Sequence, residues 1–217
     1  MEDARYIPLY TPGEAALYTG LSTTTVRRWA LGDKNRPPIL KKRATDQHSL
    51  TFLDLVELDL VGRLRREGVP LKEIEALYRA FLAVDAVENP LSCSQEIYRF
   101  GNRLVSVDHE NETAHELTRG QYNFFEIVLE FGRKLDFDQD KRAIRFYPDE
   151  ERAVVIDPSI RCGTPTLKDT RVDTSAVYEL FRAEDDDAEA VASWYDLPVA
   201  SVRAAVAWET QLRNQAA

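Results

Sequence analysis

The sequence predicts an α+β protein with three units: an N-terminal winged helix-turn-helix, a small α/β unit in the middle, and a homeodomain-like three-helix unit at the C-terminus. Three observations support this fold class. Capped amphipathic helices occur near the N-terminus, short apolar segments alternate with turn residues in the middle, and three more amphipathic segments follow residue 174. A chain of 217 residues can hold two or three small domains. We place the units at residues 1–87, 88–153 and 154–217.

The first predicted helix follows Thr11. Thr11 and Glu14 have the T-x-x-E spacing of a capping box, and Pro12 suits the first helical position. Gly20 is predicted to end this helix, because glycine takes the left-handed conformation without a Cβ clash.

The second predicted helix is capped by Ser22. At i, i+3 and i+4 spacing, its buried face carries Val26, Trp29 and Ala30. The residues that lie off this face are Thr23, Thr24, Arg27 and Arg28. Short hydroxyl side chains followed one turn later by arginine suit the major groove of DNA, where Arg binds guanine edges and Thr reaches phosphates or thymine methyl groups.

The charge distribution supports nucleic-acid binding by the first unit. The whole chain has a formal net charge of −9, yet the segment from residue 27 to residue 43 has seven Lys or Arg and one acidic residue, Asp33. A cationic segment in an acidic protein suits a phosphate backbone. The alternative is an ordinary helical hairpin with a solvated polar face. The candidate DNA-binding residues are Thr23, Thr24, Arg27, Arg28, Lys34, Arg36, Lys41, Lys42 and Arg43.

Residues 39–41 and 50–52 predict the two strands of a wing, with a polar tip at residues 42–49. Two further helices are predicted at residues 53–67 and 71–85. This order of elements, including the REGVPLKEIEAL turn, resembles the winged helix-turn-helix of the MerR family over about residues 8–84. The resemblance implies a regulator that binds double-stranded DNA as a homodimer. Because residues 71–85 span only about 22 Å, we expect the dimer contacts in the middle or C-terminal unit.

The middle unit is predicted to contain a hairpin around Gly101-Asn102, a helix from about residue 121 to residue 134, and three short strands at 135–137, 144–146 and 154–156. Asp136, Asp138 and Asp140 alternate as in a calcium loop, but the Gly and Glu that such a loop requires are missing. A solvated strand edge or turn is the better interpretation of these aspartates.

The C-terminal unit is predicted to have helices at about 174–183, 187–194 and 198–213, with Asp186 and Glu189 capping the second. Residues 174–217 carry 3 basic and 8 acidic side chains, which would repel a phosphate backbone. We therefore expect this unit to contact protein, either a partner or a second copy. A second DNA contact is the alternative.

The segment before these helices contains Asp157-Pro158, Gly163-Thr164-Pro165 and Thr170-Arg171-Val172. This spacing resembles a domain of unknown function that is typical of bacterial antitoxins. On the residues alone, Arg171 is expected to pair with a carboxylate or to cap a carbonyl. Together with the first unit, the segment makes nearly the whole chain resemble the VapB-type antitoxins.

The antitoxin resemblance implies a PIN-type ribonuclease toxin as partner. It also implies a double role, in which the protein silences that toxin and represses its own operon. An arginine can block an acidic metal site by pairing bidentately with its carboxylates. The candidate toxin-binding residues are Arg161, Arg171, Arg203 and Arg213. The alternative for each is an ordinary surface arginine.

Other function classes have little support in the sequence. No nucleotide-binding or nucleophile motif is present, and the three histidines do not cluster with cysteines at ligand spacing, so we expect no enzymatic activity, no cofactor and no metal. No apolar run approaches 18 residues and no signal peptide is evident, so we expect a cytoplasmic protein. Its two cysteines, Cys93 and Cys162, are expected to be reduced thiols, and a disulfide between them is the alternative. Two alternatives to the antitoxin remain: an effector-sensing MerR-like regulator without a toxin partner, and an architectural DNA-bending protein.

Overall fold

The computed structural model describes residues 3–34, 36–40, 49–85, 89–93 and 121–216, except for some side chains in two of its helices and at its C-terminal end. The predicted hairpin at 97–107 and most of the predicted wing tip lie outside the described residues. In the described residues the fold is a mixture of helices and small antiparallel sheets, as the α+β prediction requires.

The helices and strands, in chain order, are α1 (Pro12–Thr19), α2 (Thr23–Leu31), α3 (Phe52–Arg66), α4 (Leu71–Asp85), α5 (Gln121–Arg133), β1 (Leu135–Phe137), β2 (Ala143–Phe146), β3 (Val154–Val155), β4 (Thr166–Leu167), α6 (Thr174–Ala183), α7 (Ala188–Tyr195) and α8 (Val199–Ala216). Strand β1 pairs antiparallel with β2, and β3 pairs antiparallel with β4. Short 3-10 turns lie at Ala4–Tyr6, Pro90–Ser92 and Arg161–Gly163.

The helix-turn-helix forms as its local sequence predicts. The Thr11 hydroxyl accepts from the backbone N–H of Glu14 (3.2 Å), and the Glu14 carboxylate accepts from the backbone N–H of Thr11 (2.7 Å). Gly20 ends α1 in the left-handed conformation with φ of 66°. Ser22 caps α2 by accepting from the backbone N–H of Thr25 (3.1 Å). The capping box, the glycine stop and the second cap are therefore confirmed.

The predicted second strand of the wing is wrong. Leu50 pairs with Tyr10, in an antiparallel bridge in which each backbone N–H donates to the other residue's carbonyl. Thr51 is the N-cap of α3 and forms a capping box with Asp54, so residue 52 is already helical. The sequence signal was present, because Thr51 and Asp54 have capping spacing, but the apolar residues on either side of Thr51 suggested a strand.

One hydrophobic core joins the N-terminal unit to the middle unit. Helix α3 lies at its centre and buries twelve of its fifteen residues. Apolar side chains from beyond residue 120 pack into the same core: Val128, Phe131, Leu135, Ala143, Phe146 and Ile156. The described part of the middle unit therefore packs on the helix-turn-helix unit through a continuous apolar contact.

A buried carboxyl ties three segments of this core together. Glu57 of α3 is fully buried, and its side chain accepts from the Tyr78 hydroxyl of α4 (2.8 Å), the Asn89 amide (3.1 Å) and the backbone N–H of Leu91 (2.9 Å). Burial raises the pKa of Glu57 to about 8, although these three hydrogen bonds oppose the rise by favouring the charged form. The carboxyl thus holds α4 and the segment after it against α3.

The C-terminal unit has the three predicted helices, with two corrections. The cap of α7 is Asp187, which accepts from the backbone N–H groups of Glu189 and Ala190, so the predicted cap at Asp186 is wrong by one residue. Asp186 instead has a positive φ of 67° and pairs with Arg182. The last helix, α8, continues beyond its predicted end to residue 216.

The C-terminal unit packs directly on helix α1 of the helix-turn-helix. Tyr18 lies against Trp208 with ring centroids 6.5 Å apart, and Leu17 joins the same apolar cluster. The Tyr10 hydroxyl donates to the carbonyl of Gly163 (3.1 Å). A Cβ on Gly163 would lie 2.1 Å from the Tyr10 oxygen, so the motif glycine leaves room for this tyrosine. The two ends of the chain therefore meet at one interface, which we call the α1–α8 junction.

Candidate nucleic-acid interface

Helix α2 presents the two faces that the sequence predicts. Val26, Trp29 and Ala30 are buried, while the four remaining candidates on this helix, Thr23, Thr24, Arg27 and Arg28, are exposed. An α-helix with its side chains has a diameter of about 10–12 Å, which fits the width of about 12 Å of the DNA major groove. The second helix of the helix-turn-helix therefore presents a free polar face.

The turn after α2 brings two more candidate cations to the surface. Asp33 accepts from the backbone N–H of Arg36 (2.9 Å), which holds the turn in place. Lys34 and Arg36 are both exposed in this turn. The chain then returns to the core, where the backbone N–H groups of Ile39 and Leu40 donate to the carbonyl of Trp29.

The cations of α2 and of the turn after it are unpaired. Within the described ranges, no hydrogen bond or ion pair is formed by the side chains of Arg27, Arg28, Lys34 or Arg36. Most arginines on the rest of the described surface differ, because they face carboxylates, as in the pairs Arg5–Asp3, Arg63–Asp59, Arg145–Asp157, Arg152–Asp136, Arg161–Asp173, Arg182–Asp186 and Arg213–Glu179. Unpaired guanidinium and ammonium groups on one surface are available to phosphates. We call this set the α2 cationic face.

The other three DNA-binding candidates, Lys41, Lys42 and Arg43, lie outside the described residues. Their part in the interface stays a prediction from the sequence.

The four candidate toxin-binding arginines divide into two pairs. Arg161 forms an ion pair with Asp173, and Arg213 pairs with Glu179 (2.5 Å) and stacks on the Tyr178 ring (4.3 Å). Arg171 and Arg203 are exposed, and neither has a partner in the described part of the chain. The expectation that Arg171 pairs with a carboxylate or caps a carbonyl is therefore wrong. The turn is closed without it, because the Thr170 hydroxyl donates to the Leu167 carbonyl (2.7 Å).

Arg171 lies at a cationic cavity that sequence reasoning did not find. The cavity has a volume of about 320 Å³, and Arg171, Lys168 and Arg145 are among the residues that line it. Arg145 is held by Asp157 (2.9 Å), whereas Lys168 and Arg171 extend from the turn after β4. The sequence K-D-T-R at residues 168–171 indicates that Lys168 and Arg171 lie close together. Arg145 is 23 or more residues away in sequence, so its place beside them follows from the fold.

Neither a metal site nor a membrane-spanning helix is found in the described residues. No three His, Cys, Asp or Glu side chains lie together there as a metal site would require. Nor does any helix in these ranges combine the length and apolar character needed to cross a membrane.

Comparison with known families identifies two segments of the chain. Residues 10–80 match the model described as MerR HTH family regulatory protein. The chain therefore carries a MerR-family helix-turn-helix domain at its N-terminus. Residues 154–208 match the model described as Protein of unknown function (DUF433), so the Asp-Pro, Gly-x-Pro and Thr-Arg motifs belong to a DUF433 domain. The combination fits a DNA-binding regulator.

Comparison with solved structures supports the fold over nearly the whole chain. The crystal structure of Rv2018 from Mycobacterium tuberculosis is similar to this chain with a TM-score of 0.67 and 22% sequence identity. The match covers 92% of this chain and 98% of that protein, so the arrangement of both ends is shared. No curated protein matches the sequence significantly.

Proposed function

We propose that the protein is a cytoplasmic DNA-binding antitoxin that represses its own operon as a homodimer and neutralises a PIN-type ribonuclease toxin. The observation that carries the DNA-binding part is the α2 cationic face, a set of unpaired exposed cations on an acidic protein. The protein acts by binding alone and has no catalytic activity of its own. Its DUF433 domain carries the contact with the toxin.

In this proposal α2 enters the major groove. Arg27 and Arg28 contact base edges or the phosphates at the groove walls, and Thr23 and Thr24, at the helix start, contact thymine methyl groups or phosphates. Lys34 and Arg36 contact phosphates beside the groove, and the wing residues Lys41, Lys42 and Arg43 follow the neighbouring strand. The helix-turn-helix arrangement supports these roles, because residues at the start of a recognition helix face the bases.

The DNA-binding part is tested by fluorescence anisotropy with a duplex from upstream of the gene, over a series of salt concentrations. We expect tight binding by the full chain that weakens steeply with salt. Replacing both arginines, Arg27→Ala/Arg28→Ala, should weaken binding about 100-fold, since each good contact contributes about 1–3 kcal/mol. The matched control is Lys72→Ala/Arg79→Ala, which removes the same charge from the surface of α4. Equal losses in both variants would show that only net charge matters.

For toxin binding the structure favours Arg171 and Arg203 over Arg161 and Arg213. An arginine that already holds a carboxylate of its own chain must break that pair before it can bind a partner's carboxylates, whereas an unpaired one need not. Arg171 also has Lys168 beside it on the same cavity. Two cations together suit the acidic cluster of a PIN nuclease.

The toxin part is tested by co-expressing the full chain with the PIN-type protein encoded beside its gene. We expect the two to co-purify, and Arg171→Ala/Arg203→Ala to lose inhibition of the ribonuclease. Arg161→Ala/Arg213→Ala is the matched control and should still inhibit. Full inhibition by all four single variants and by both double variants would contradict an arginine-based mechanism.

The homodimer is proposed to form through the C-terminal unit. Trp194 of α7 is 71% exposed, and it is the large apolar side chain that stands out on the described surface. Tryptophan is enriched at the centres of protein interfaces. Light scattering should show a dimer for the wild type and a monomer for Trp194→Ala. If the Trp194→Ala variant is still a dimer, the dimer contact lies elsewhere on the protein.

A further inference from the structure

A cavity of about 220 Å³ lies in the α1–α8 junction, apart from both proposed binding surfaces. Leu17 and Tyr18 of α1 line one side, and Leu212 of α8 and Pro165 line the other. Its walls are therefore largely apolar. Pockets for drug-sized ligands usually measure about 300–1,000 Å³. A cavity of this size suits a smaller molecule, with about one ring and one polar group.

Glu209 of α8 supplies the cavity with a buried charge. The side chain is only 8% exposed, and one carboxylate oxygen accepts from the hydroxyl of Thr174 (2.5 Å). Within the described residues its other oxygen has no hydrogen bond, and no cation pairs with it. This second oxygen is not enclosed by protein, so it can accept a hydrogen bond from a ligand that enters the cavity.

The cation closest in sequence is already engaged. Arg213 lies one helical turn after Glu209 and also lines the cavity, but its guanidinium is held by Glu179 (2.5 Å) and by the Tyr178 ring (4.3 Å). Carboxylates also lie near the Tyr18 ring, since burial together with Glu14, Glu209 and Asp173 raises the pKa of Tyr18 to about 12. Asp173 is paired with Arg161, whereas Glu209 has no cation among the described residues. Glu209 is therefore the carboxylate on the cavity wall that is left for a ligand.

We propose that this cavity binds a small organic cation, an ammonium group on a single aryl or branched alkyl body. The ammonium group donates to the unpaired oxygen of Glu209, and the apolar body packs between Leu17, Tyr18 and Leu212. Since α1 belongs to the helix-turn-helix and α8 to the C-terminal unit, the ligand contacts both ends of the chain. Binding stabilises the junction by mass action.

The test uses benzylamine and its neutral analogue benzyl alcohol as probes of the full chain, without DNA or toxin, by isothermal titration calorimetry. We expect benzylamine to bind with a Kd of about 1 mM or tighter and benzyl alcohol to bind at least about ten-fold more weakly. Glu209→Gln keeps an acceptor for Thr174 and should remove the preference for the cation. The control is Glu189→Gln, an exposed substitution in the same unit, which should keep the preference for benzylamine over benzyl alcohol.

A second variant keeps the test decisive if Glu209→Gln unfolds. Ser175 is exposed at the rim of the cavity, so Ser175→Trp should fold and occupy the space, weakening benzylamine about ten-fold or more. Equal affinities for the two probes, unchanged affinity in both variants, or no binding up to about 10 mM would overturn the proposal. Because neither DNA nor toxin is present, these outcomes are independent of the antitoxin function.

Discussion

The two ends of the chain use their cations differently. On the helix-turn-helix, Arg27, Arg28 and the two cations after α2 are exposed and have no partner among the described residues. On the C-terminal unit, Arg161, Arg182 and Arg213 each pair with a carboxylate. Pairing inside the chain reduces what a cation can offer to a ligand, so of these two groups of cations the first is better suited to a polyanion.

The comparison also shows where unpaired charge remains in the acidic domain. Its cations without a partner among the described residues are Lys168, Arg171 and Arg203, and Glu209 is a buried carboxylate without a cation. We infer that these exceptions mark contacts with other molecules.

The largest effect is expected at the junction, from Gly163→Ala. Gly163 has φ of +76°, and an added Cβ would lie 2.1 Å from the oxygen of Tyr10. The substitution combines backbone strain of about 1–3 kcal/mol with overpacking of similar size. We expect the free energy of unfolding, measured by urea denaturation, to fall by about 3 kcal/mol or more.

The control for this prediction is Gly132→Ala. Gly132 lies in α5 and an added Cβ there meets nothing within 4 Å. Alanine is more favourable than glycine in a helix interior, so the free energy of unfolding should be unchanged or rise by up to about 1 kcal/mol. If the two variants have the same free energy of unfolding, the Tyr10–Gly163 contact does not hold the two ends together.

The next effect concerns pH and the buried Glu57 carboxyl. Its folded-state pKa of about 8 lies above the ordinary value of 4.5, so between these values the folded chain holds a proton that the unfolded chain has lost. The free energy of unfolding should therefore fall as pH rises from about 5 to about 8. The Glu57→Gln variant has no titrating group at this position. The difference between its free energy of unfolding and that of the wild type should therefore shift in favour of the variant by about 1 kcal/mol or more from about pH 5 to about pH 8.

Urea denaturation of both proteins at several pH values measures this effect. Glu67→Gln, an exposed substitution at the end of α3, serves as the control and should follow the wild type. A stability difference between Glu57→Gln and the wild type that is constant with pH would contradict the raised pKa.

A smaller effect is expected from the turn after α2. Lys34→Ala/Arg36→Ala should weaken DNA binding evenly across sequences and lower the slope of log affinity against log salt by about 2, about one for each phosphate contact. The fold should be unaffected, because the turn is held by the backbone N–H of Arg36 and not by its side chain. An unchanged slope would remove these two residues from the interface.

The sequence was sufficient where local rules decide the structure. The capping box of Thr11 and Glu14, the stop at Gly20 and the buried face of α2 were all predicted, because each depends on residues within four positions. The buried Glu57 could not be predicted, since a charged residue in a helical pattern indicates an exposed position.

Contacts between distant segments were also beyond the sequence. The Tyr10–Gly163 hydrogen bond joins residues 153 positions apart, and nothing in either local pattern indicates the other. For the same reason, the sequence named Arg171 as a candidate but could not place Lys168 and Arg145 beside the same cavity. The exposure of α2's arginines was predictable, whereas their lack of partners required the structure.

The most direct test of two separate binding surfaces compares two double variants on the same operator DNA. Fluorescence anisotropy at one fixed salt concentration would measure Arg27→Ala/Arg28→Ala and Arg171→Ala/Arg203→Ala, which lose the same charge from opposite ends of the chain. We expect the first to lose about 100-fold in affinity and the second to bind within about three-fold of the wild type, since its net charge alone is changed. An equal or larger loss in the second variant would contradict the assignment of DNA binding to the α2 cationic face.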